Sequence, residues 1–127
     1  MDVEYDSEQF ELNTESQERV VKMFDILEDI ILSLCGGENL FVDWSEVKDL
    51  YRQRTGPEAF DRKTLKAIIS IYRDCYEFGV ADKDVFIKFN ENDETVDFQL
   101  IRKRRFKMQE NISSLGQMTM ELDYFAF

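Results

Sequence analysis

The sequence contains no histidine, a single proline and only two cysteines among its 127 residues. Histidine is the commonest general base and metal ligand near neutral pH, so its absence argues against a zinc site and against Ser-His or Cys-His catalysis. Cys35 and Cys75 have no neighbouring cysteine with which to form a redox motif. Composition leaves catalysis by carboxylates alone open, but no Asp or Glu pair is distinguished by its setting. We therefore expect no enzyme activity, catalytic residue, metal, cofactor or small-molecule substrate.

Positive charge is also scarce, because 16 Lys and Arg residues stand against 27 Asp and Glu residues and leave a net charge of −11. Binding to nucleic acid or to anionic membrane depends on Lys and Arg displacing counterions, so this balance opposes both. It favours basic protein partners. No apolar run reaches membrane-spanning length, and the N-terminus is too acidic for a secretory signal. Thiols placed in apolar segments predict a reducing, intracellular compartment.

The length and a hydrophobic content of 43% are sufficient for one core. We assign residues 14–127 to a single domain and residues 1–13 to an acidic N-terminal arm. The chain before Arg19 holds acidic residues and no Lys or Arg. We interpret this arm as solvated, with a docking peptide as the alternative.

Three helical patterns follow the arm. Thr14 is expected to cap the first helix, with Gln17 three residues later, and the helix is expected to run to Cys35, where Gly36 and Gly37 stop it. The helix is apolar over two adjoining faces. This pattern leaves open whether the helix is deeply buried or keeps one face for a partner. A short strand precedes a second helix capped by Asp43, and Asp61 caps a third helix that is expected to end near Phe78.

The stretch of residues 84–102 shows two alternating apolar runs, Val85 to Phe89 and Val96 to Leu100, joined by a polar segment. This pattern predicts a β-hairpin with one face on a core. Residues 117–127 alternate again and predict a final strand. The expected fold class is therefore α+β, a winged helix of three helices plus a β-hairpin wing, with an additional C-terminal strand or segment.

The final strand also suggests self-association, because it adds apolar side chains to a core that three helices and a hairpin already supply. A two-fold homodimer is the commonest way to cover such a surplus. The alternative is a strand that only completes the domain's own sheet. The residues assigned to the dimer interface are Met118, Met120, Leu122, Tyr124, Phe125 and Phe127.

A DNA-binding winged helix is the alternative function, since cations cluster on the third helix and after the wing. The residues assigned to this contact are Arg62, Lys66, Arg73, Arg102, Lys103, Arg104 and Arg105. Glu91, Asp93 and Glu94 at the expected wing tip would repel phosphates. We therefore expect duplex binding to be weak.

The order of elements from Thr14 to Arg105 resembles a winged-helix domain. An acidic winged helix with a bulky first helix and an appended C-terminal strand is similar to the C-terminal domain of the silent-information-regulator heterochromatin protein related to the large origin-recognition subunit. The ATP-binding segments of that family are absent from this chain. The resemblance implies a nuclear, non-catalytic module for protein-protein interaction and dimerisation, which helps a transcriptional silencing complex to spread on chromatin. It also implies basic chromatin proteins as partners and places enzyme activity in other proteins.

Overall fold

A computed structural model describes residues 8–57 and 60–122 of the chain. Within these residues the architecture is mixed α+β, with four helices and two small antiparallel sheets, which confirms the expected class. In chain order the elements are β1 (Glu8–Leu12), α1 (Thr14–Cys35), β2 (Val42–Asp43), α2 (Trp44–Thr55), α3 (Arg62–Ile71), β3 (Tyr76–Ala81), β4 (Asp84–Phe89), α4 (Phe98–Leu115) and β5 (Met118–Leu122).

Helix α1 lies at the centre of the core and contacts the other three helices. Its first turn is closed by a capping box in which the Asn13 side chain accepts from the Ser16 amide and Ser16 Oγ accepts from the Asn13 amide. Gly36 ends the helix in the left-handed region, at a φ of 66°, where glycine has no steric penalty. The predicted limits of this helix are confirmed to within one residue, but the predicted cap at Thr14 is wrong, because the preceding Asn13 is the capping residue.

Helices α2 and α3 begin after Asp43 and Asp61. The Asp43 side chain accepts hydrogen bonds from the Ser45 and Glu46 amides, and the Asp61 side chain accepts one from the Lys63 amide. Both predicted caps are confirmed. The predicted end of the third helix near Phe78 is wrong, because α3 ends at Ile71. Asp74 then adopts a left-handed φ of 59° and the chain turns into strand β3.

A three-stranded sheet with the order β2-β4-β3 contains the hairpin of the fold. Strands β3 and β4 pair from Tyr76↔Phe89 to Ala81↔Asp84 across a tight turn that contains Asp82. The prediction that the second run of residues 84–102 is the partner strand is therefore wrong. Only the first run is a strand, and its partner precedes it in the chain.

The second run instead begins helix α4. The Asp97 side chain accepts a hydrogen bond from the Leu100 amide and caps the first turn. The buried side chains of this helix recur at helical spacing; they are those of Leu100, Ile101, Arg104, Met108 and Ile112. A two-residue alternation over one short stretch did not distinguish a strand from the first turn of a helix.

Strands β1 and β5 form a separate two-stranded sheet that brings the two ends of the described chain together. Phe10 and Leu12 are buried beside Met120 and Leu122. The interpretation of the arm as solvated is wrong for residues 8–12, and residues 1–7 lie outside the described part. The predicted final strand is confirmed over Met118–Leu122.

Candidate functional site on helix α4

The basic run of residues 102–107 lies within helix α4 and does not leave the hairpin as an extended strip. A helix turns once every 3.6 residues, so neighbouring cations of the run face in different directions. Arg104 is 1% exposed, Arg105 is half-buried, and Arg102, Lys103 and Lys107 lie in solvent. The two sides of this helix therefore have different roles and are described in turn.

The inner side is organised by the Arg104 guanidinium. It donates to Glu28 Oε1 at 2.6 Å, to Glu91 Oε1 at 2.7 Å and to the Cys75 carbonyl at 2.9 Å. The Tyr76 hydroxyl donates to the second oxygen of Glu28 at 2.8 Å. Side chains from α1, α4 and β3 and from the loop after β4 thus meet at one buried ion pair.

Aromatic rings surround the same guanidinium. Its central carbon is 4.5 Å from the Phe89 ring centroid, 5.4 Å from that of Tyr76 and 5.5 Å from that of Tyr72. A desolvated cation is attracted to aromatic faces by their quadrupoles. The rings exclude water while the carboxylates supply the opposite charge.

Burial raises the pKa of the Glu28 carboxyl above its ordinary value, and the hydrogen bonds from Arg104 and Tyr76 oppose that rise. Burial would lower the pKa of Arg104, but the neighbouring Glu28 carboxylate outweighs this and raises it. The guanidinium is therefore charged at neutral pH. We refer to these contacts of Arg104 as the Arg104 centre, and they determine which side of α4 faces outward.

The outer face of α4 carries two aromatic side chains in solvent. Phe98 is 74% exposed and Phe106 is 67% exposed. Arg102 lies between them at intervals of four residues, which places all three on one side of the helix.

A groove of about 760 Å³ runs beside this outer face, between α1 and α4. Half-buried Val21 and Ile26 of α1 line one wall, and Gln109, Ile112 and Ser113 of α4 line the other. Most of its lining residues are polar, and Val21, Ile26 and Ile112 are its apolar members.

The residues assigned to DNA contact are not on one surface. Arg104 is enclosed in its centre, and Lys66 is 7% exposed and bonded to Glu8 of β1. Arg105 forms an ion pair with Asp25 of α1 at 2.8 Å. Arg104 and Lys66 therefore lie in the interior of the described chain, each paired with a carboxylate, and the assignment to DNA contact stays a prediction for the exposed cations.

The other four of these cations, Arg62, Arg73, Arg102 and Lys103, are exposed. They are distributed over α3, the turn after it and α4.

The acidic segment expected at the wing tip is the loop between β4 and α4, because the hairpin lies earlier in the chain. Glu91 pairs with Arg104 there. The Asn39 side chain donates to the carbonyls of Phe89, Glu91 and Asp93 and holds this loop against the sheet. The acids of this segment are therefore not at the tip of the hairpin.

The residues assigned to the dimer interface also divide. Met118 is exposed, whereas Met120 and Leu122 are 7% and 4% exposed and belong to the chain's own core. Strand β5 turns these two side chains towards the core, so Met118 is the member of the set that the described surface exposes. The remaining three, Tyr124, Phe125 and Phe127, lie outside the described residues.

Sequence reasoning missed both the exposed phenyl rings and Glu28. The alternating pattern predicts a strand for Phe98, whereas the residue lies in helix α4. Helical spacing of Ile101, Met108 and Ile112 was the available signal for the inner side, and it leaves Phe98 and Phe106 outward.

No protein-family model matches this chain, and no curated protein or solved structure matches it. None of the helices described is both long enough and apolar enough to cross a membrane. Within the same two stretches, 8–57 and 60–122, no group of three or more Cys, Asp or Glu side chains is arranged to hold a metal ion.

Proposed function

We propose that this chain is a non-catalytic protein-protein interaction module that forms a homodimer and is built on a winged-helix fold. The fold part of the proposal is supported by the order α1-β2-α2-α3-β3-β4 and by the sheet order β2-β4-β3. In this assignment β3 and β4 form the wing, while β1, α4 and β5 are additions to it.

The observation that carries the interaction function is the exposure of Phe98 and Phe106 on one face of α4. Covering each ring would contribute about 1.5–3 kcal/mol, so leaving both in water is unfavourable. Large apolar side chains left exposed together on one side of a helix are typical of interaction sites in soluble proteins. The buried Arg104 centre holds the helix so that this face stays outward.

The cellular setting belongs to the proposal and rests on the sequence resemblance. A nuclear chromatin-associated complex that acts in transcriptional silencing would offer basic partners to a chain with a net charge of −11. The acidic surface and the apolar face of α4 would then serve different partners.

Light scattering across a concentration series tests the homodimer. We expect the unmodified chain to be a dimer at micromolar concentration and Phe106→Ser to shift it to monomer. Leu40→Ser is the matched control, since Leu40 is also exposed, at 55%, but precedes β2 and lies outside α4. An unmodified chain that stays monomeric at high micromolar concentration would contradict the proposal.

The DNA-binding alternative has less support, because two of its assigned cations are buried. A titration with mixed-sequence duplex at physiological salt should give weak binding. Submicromolar affinity with a steep negative salt dependence would favour the alternative, since that slope requires several phosphate contacts.

A further inference from the structure

We infer that two copies of this chain pair through their α4 helices, antiparallel and about a two-fold axis near Phe106. This inference rests on the proposed homodimer and specifies its interface. The axis would bring the two Phe106 rings together, because Phe106 lies near the middle of Phe98–Leu115. A two-fold interface uses the same patch on both copies, so a central aromatic side chain meets itself.

The charges of the outer face favour the antiparallel arrangement. Arg102 and Lys103 are exposed before Phe106, and Lys107 and Glu110 are exposed after it, so Glu110 supplies the negative charge after the axis. Parallel pairing would place Arg102 and Lys103 beside the same cations of the second copy. Antiparallel pairing instead brings these cations beside Glu110 of the second copy, and the two-fold axis repeats the contact.

Lys103 and Glu110 are available for this contact. Neither forms a salt bridge within residues 8–57 and 60–122. Opposite charges at an interface fix the orientation of the partners, whereas like charges in contact oppose it. The contact of Arg102 and Lys103 with Glu110 of the second copy forms only when the helices run in opposite directions.

The flank of α4 that faces α1 adds an apolar contact. Phe98, Arg105 and Ile112 follow at intervals of seven residues on this flank, and Arg105 bonds Asp25 of α1. The two-fold axis sets this flank of one copy beside the same flank of the other. Phe98 of one copy then reaches the groove between α1 and α4 of the second copy, near Ile112.

A charge exchange tests the arrangement. Lys103→Glu and Glu110→Lys would each place like charges in contact twice, and each should raise the dimer dissociation constant about tenfold. The double variant, with both changes in one chain, should return it to the unmodified value. Sedimentation equilibrium at low salt measures all four proteins.

Lys83→Glu is the matched control for Lys103→Glu, because it makes the same change in net charge at the exposed turn between β3 and β4. It should leave the dissociation constant within about twofold of the unmodified value, as expected for an exposed charge outside the interface. Phe98→Ser should weaken the dimer as well.

Three outcomes are distinguishable. Restoration in the double variant supports the antiparallel interface. A dimer in which the single variants match the control, or in which the double variant fails to recover, overturns this interface and leaves the proposed homodimer standing. A monomeric unmodified chain overturns both.

Discussion

Arg102 and Arg104 are two residues apart on α4, yet the first lies in solvent and the second is 1% exposed. The inner arginine is held by two carboxylates, a carbonyl and three aromatic rings. The outer arginine lies between two exposed phenyl rings. Two arginines therefore differ in role, one in internal packing and the other in a candidate interface. The position of each residue around the helix axis determines its role.

The comparison also separates two energetic regimes. A charge in solvent is screened, and a pair formed there contributes little to stability. A buried charge has lost its hydration, so it depends on each of its partners. Changes on the inner side of α4 should therefore affect folding, and changes on the outer face should affect association.

The largest effect is expected for Glu28→Ala, which leaves the Arg104 guanidinium without its main counter-charge. Losing one partner of a buried pair costs about 3–5 kcal/mol in the free energy of unfolding. Urea unfolding at one fixed protein concentration measures it. Arg102→Ala is the control and should change stability by less than about 0.5 kcal/mol. Equal losses in the free energy of unfolding for Glu28→Ala and Arg102→Ala would contradict the distinction between the inner and outer sides of α4.

Replacing both members of the pair sharpens this test. Glu28→Leu combined with Arg104→Met removes both charges and fills similar volume, so it should recover much of the stability lost in Glu28→Ala. A double variant as unstable as Glu28→Ala would indicate that hydrogen bonds to Glu91 and to the Cys75 carbonyl dominate.

A second contrast lies between Met108 and Phe106, on opposite sides of the same helix. Met108 is 1% exposed, so Met108→Ala should cost about 2–5 kcal/mol through lost packing and the cavity left behind. Phe106→Ser should change the stability of the monomer by no more than about 0.5 kcal/mol. Thermal unfolding of dilute samples measures both, and a loss above about 2 kcal/mol for Phe106→Ser would place the ring in the core.

The two cysteines give a smaller contrast. Burial raises the pKa of the Cys75 thiol, which is 1% exposed, whereas Cys35 is half-buried. The expectation that both lie within helices is wrong for Cys75, which follows α3. Under native conditions a thiol reagent should modify Cys35 first, because only a thiolate reacts and Cys75 is neutral and enclosed. Rapid modification of Cys75 would contradict its burial.

The smallest effect concerns the hydrogen bond between Lys66 and Glu8, which lowers the pKa of the Glu8 carboxyl. A lowered pKa in the folded state stabilises the fold above the ordinary carboxyl pKa. This contribution is lost as the pH falls through the lowered value. The difference in melting temperature between the unmodified chain and Glu8→Gln should therefore be largest near pH 7 and vanish in acid. A difference that does not depend on pH would exclude this ion pair as its cause.

The error at residues 84–102 shows where local patterns were insufficient. The alternation of Val96, Phe98 and Leu100 suited a strand as well as the first turn of a helix. Tyr76 and Phe78 suited the continuation of a helix, yet they pair with Phe89 and Ile87. A local pattern describes one segment at a time, whereas the pairing of a strand depends on a second segment elsewhere in the chain.

The candidate surface escaped prediction for a related reason. Composition indicated surplus apolar side chains, but it did not assign them to a face. Met120 and Leu122 turned inward because β1 supplied a partner strand, and Phe98 and Phe106 turned outward because Arg104 faces the core.

The sequence by itself determined the structural features that depend on residues close together in the chain. These are the limits of α1, the caps at Asp43 and Asp61, and the turn at Gly36. Each of these features depends on hydrogen bonds or on backbone freedom within a few residues, so the local sequence was sufficient to predict it. The tertiary structure alone decided the pairing of β3 with β4 and the burial of Arg104. Arg104 and Glu28 are 76 positions apart, and a buried charge is stable only where distant segments bring its partners together.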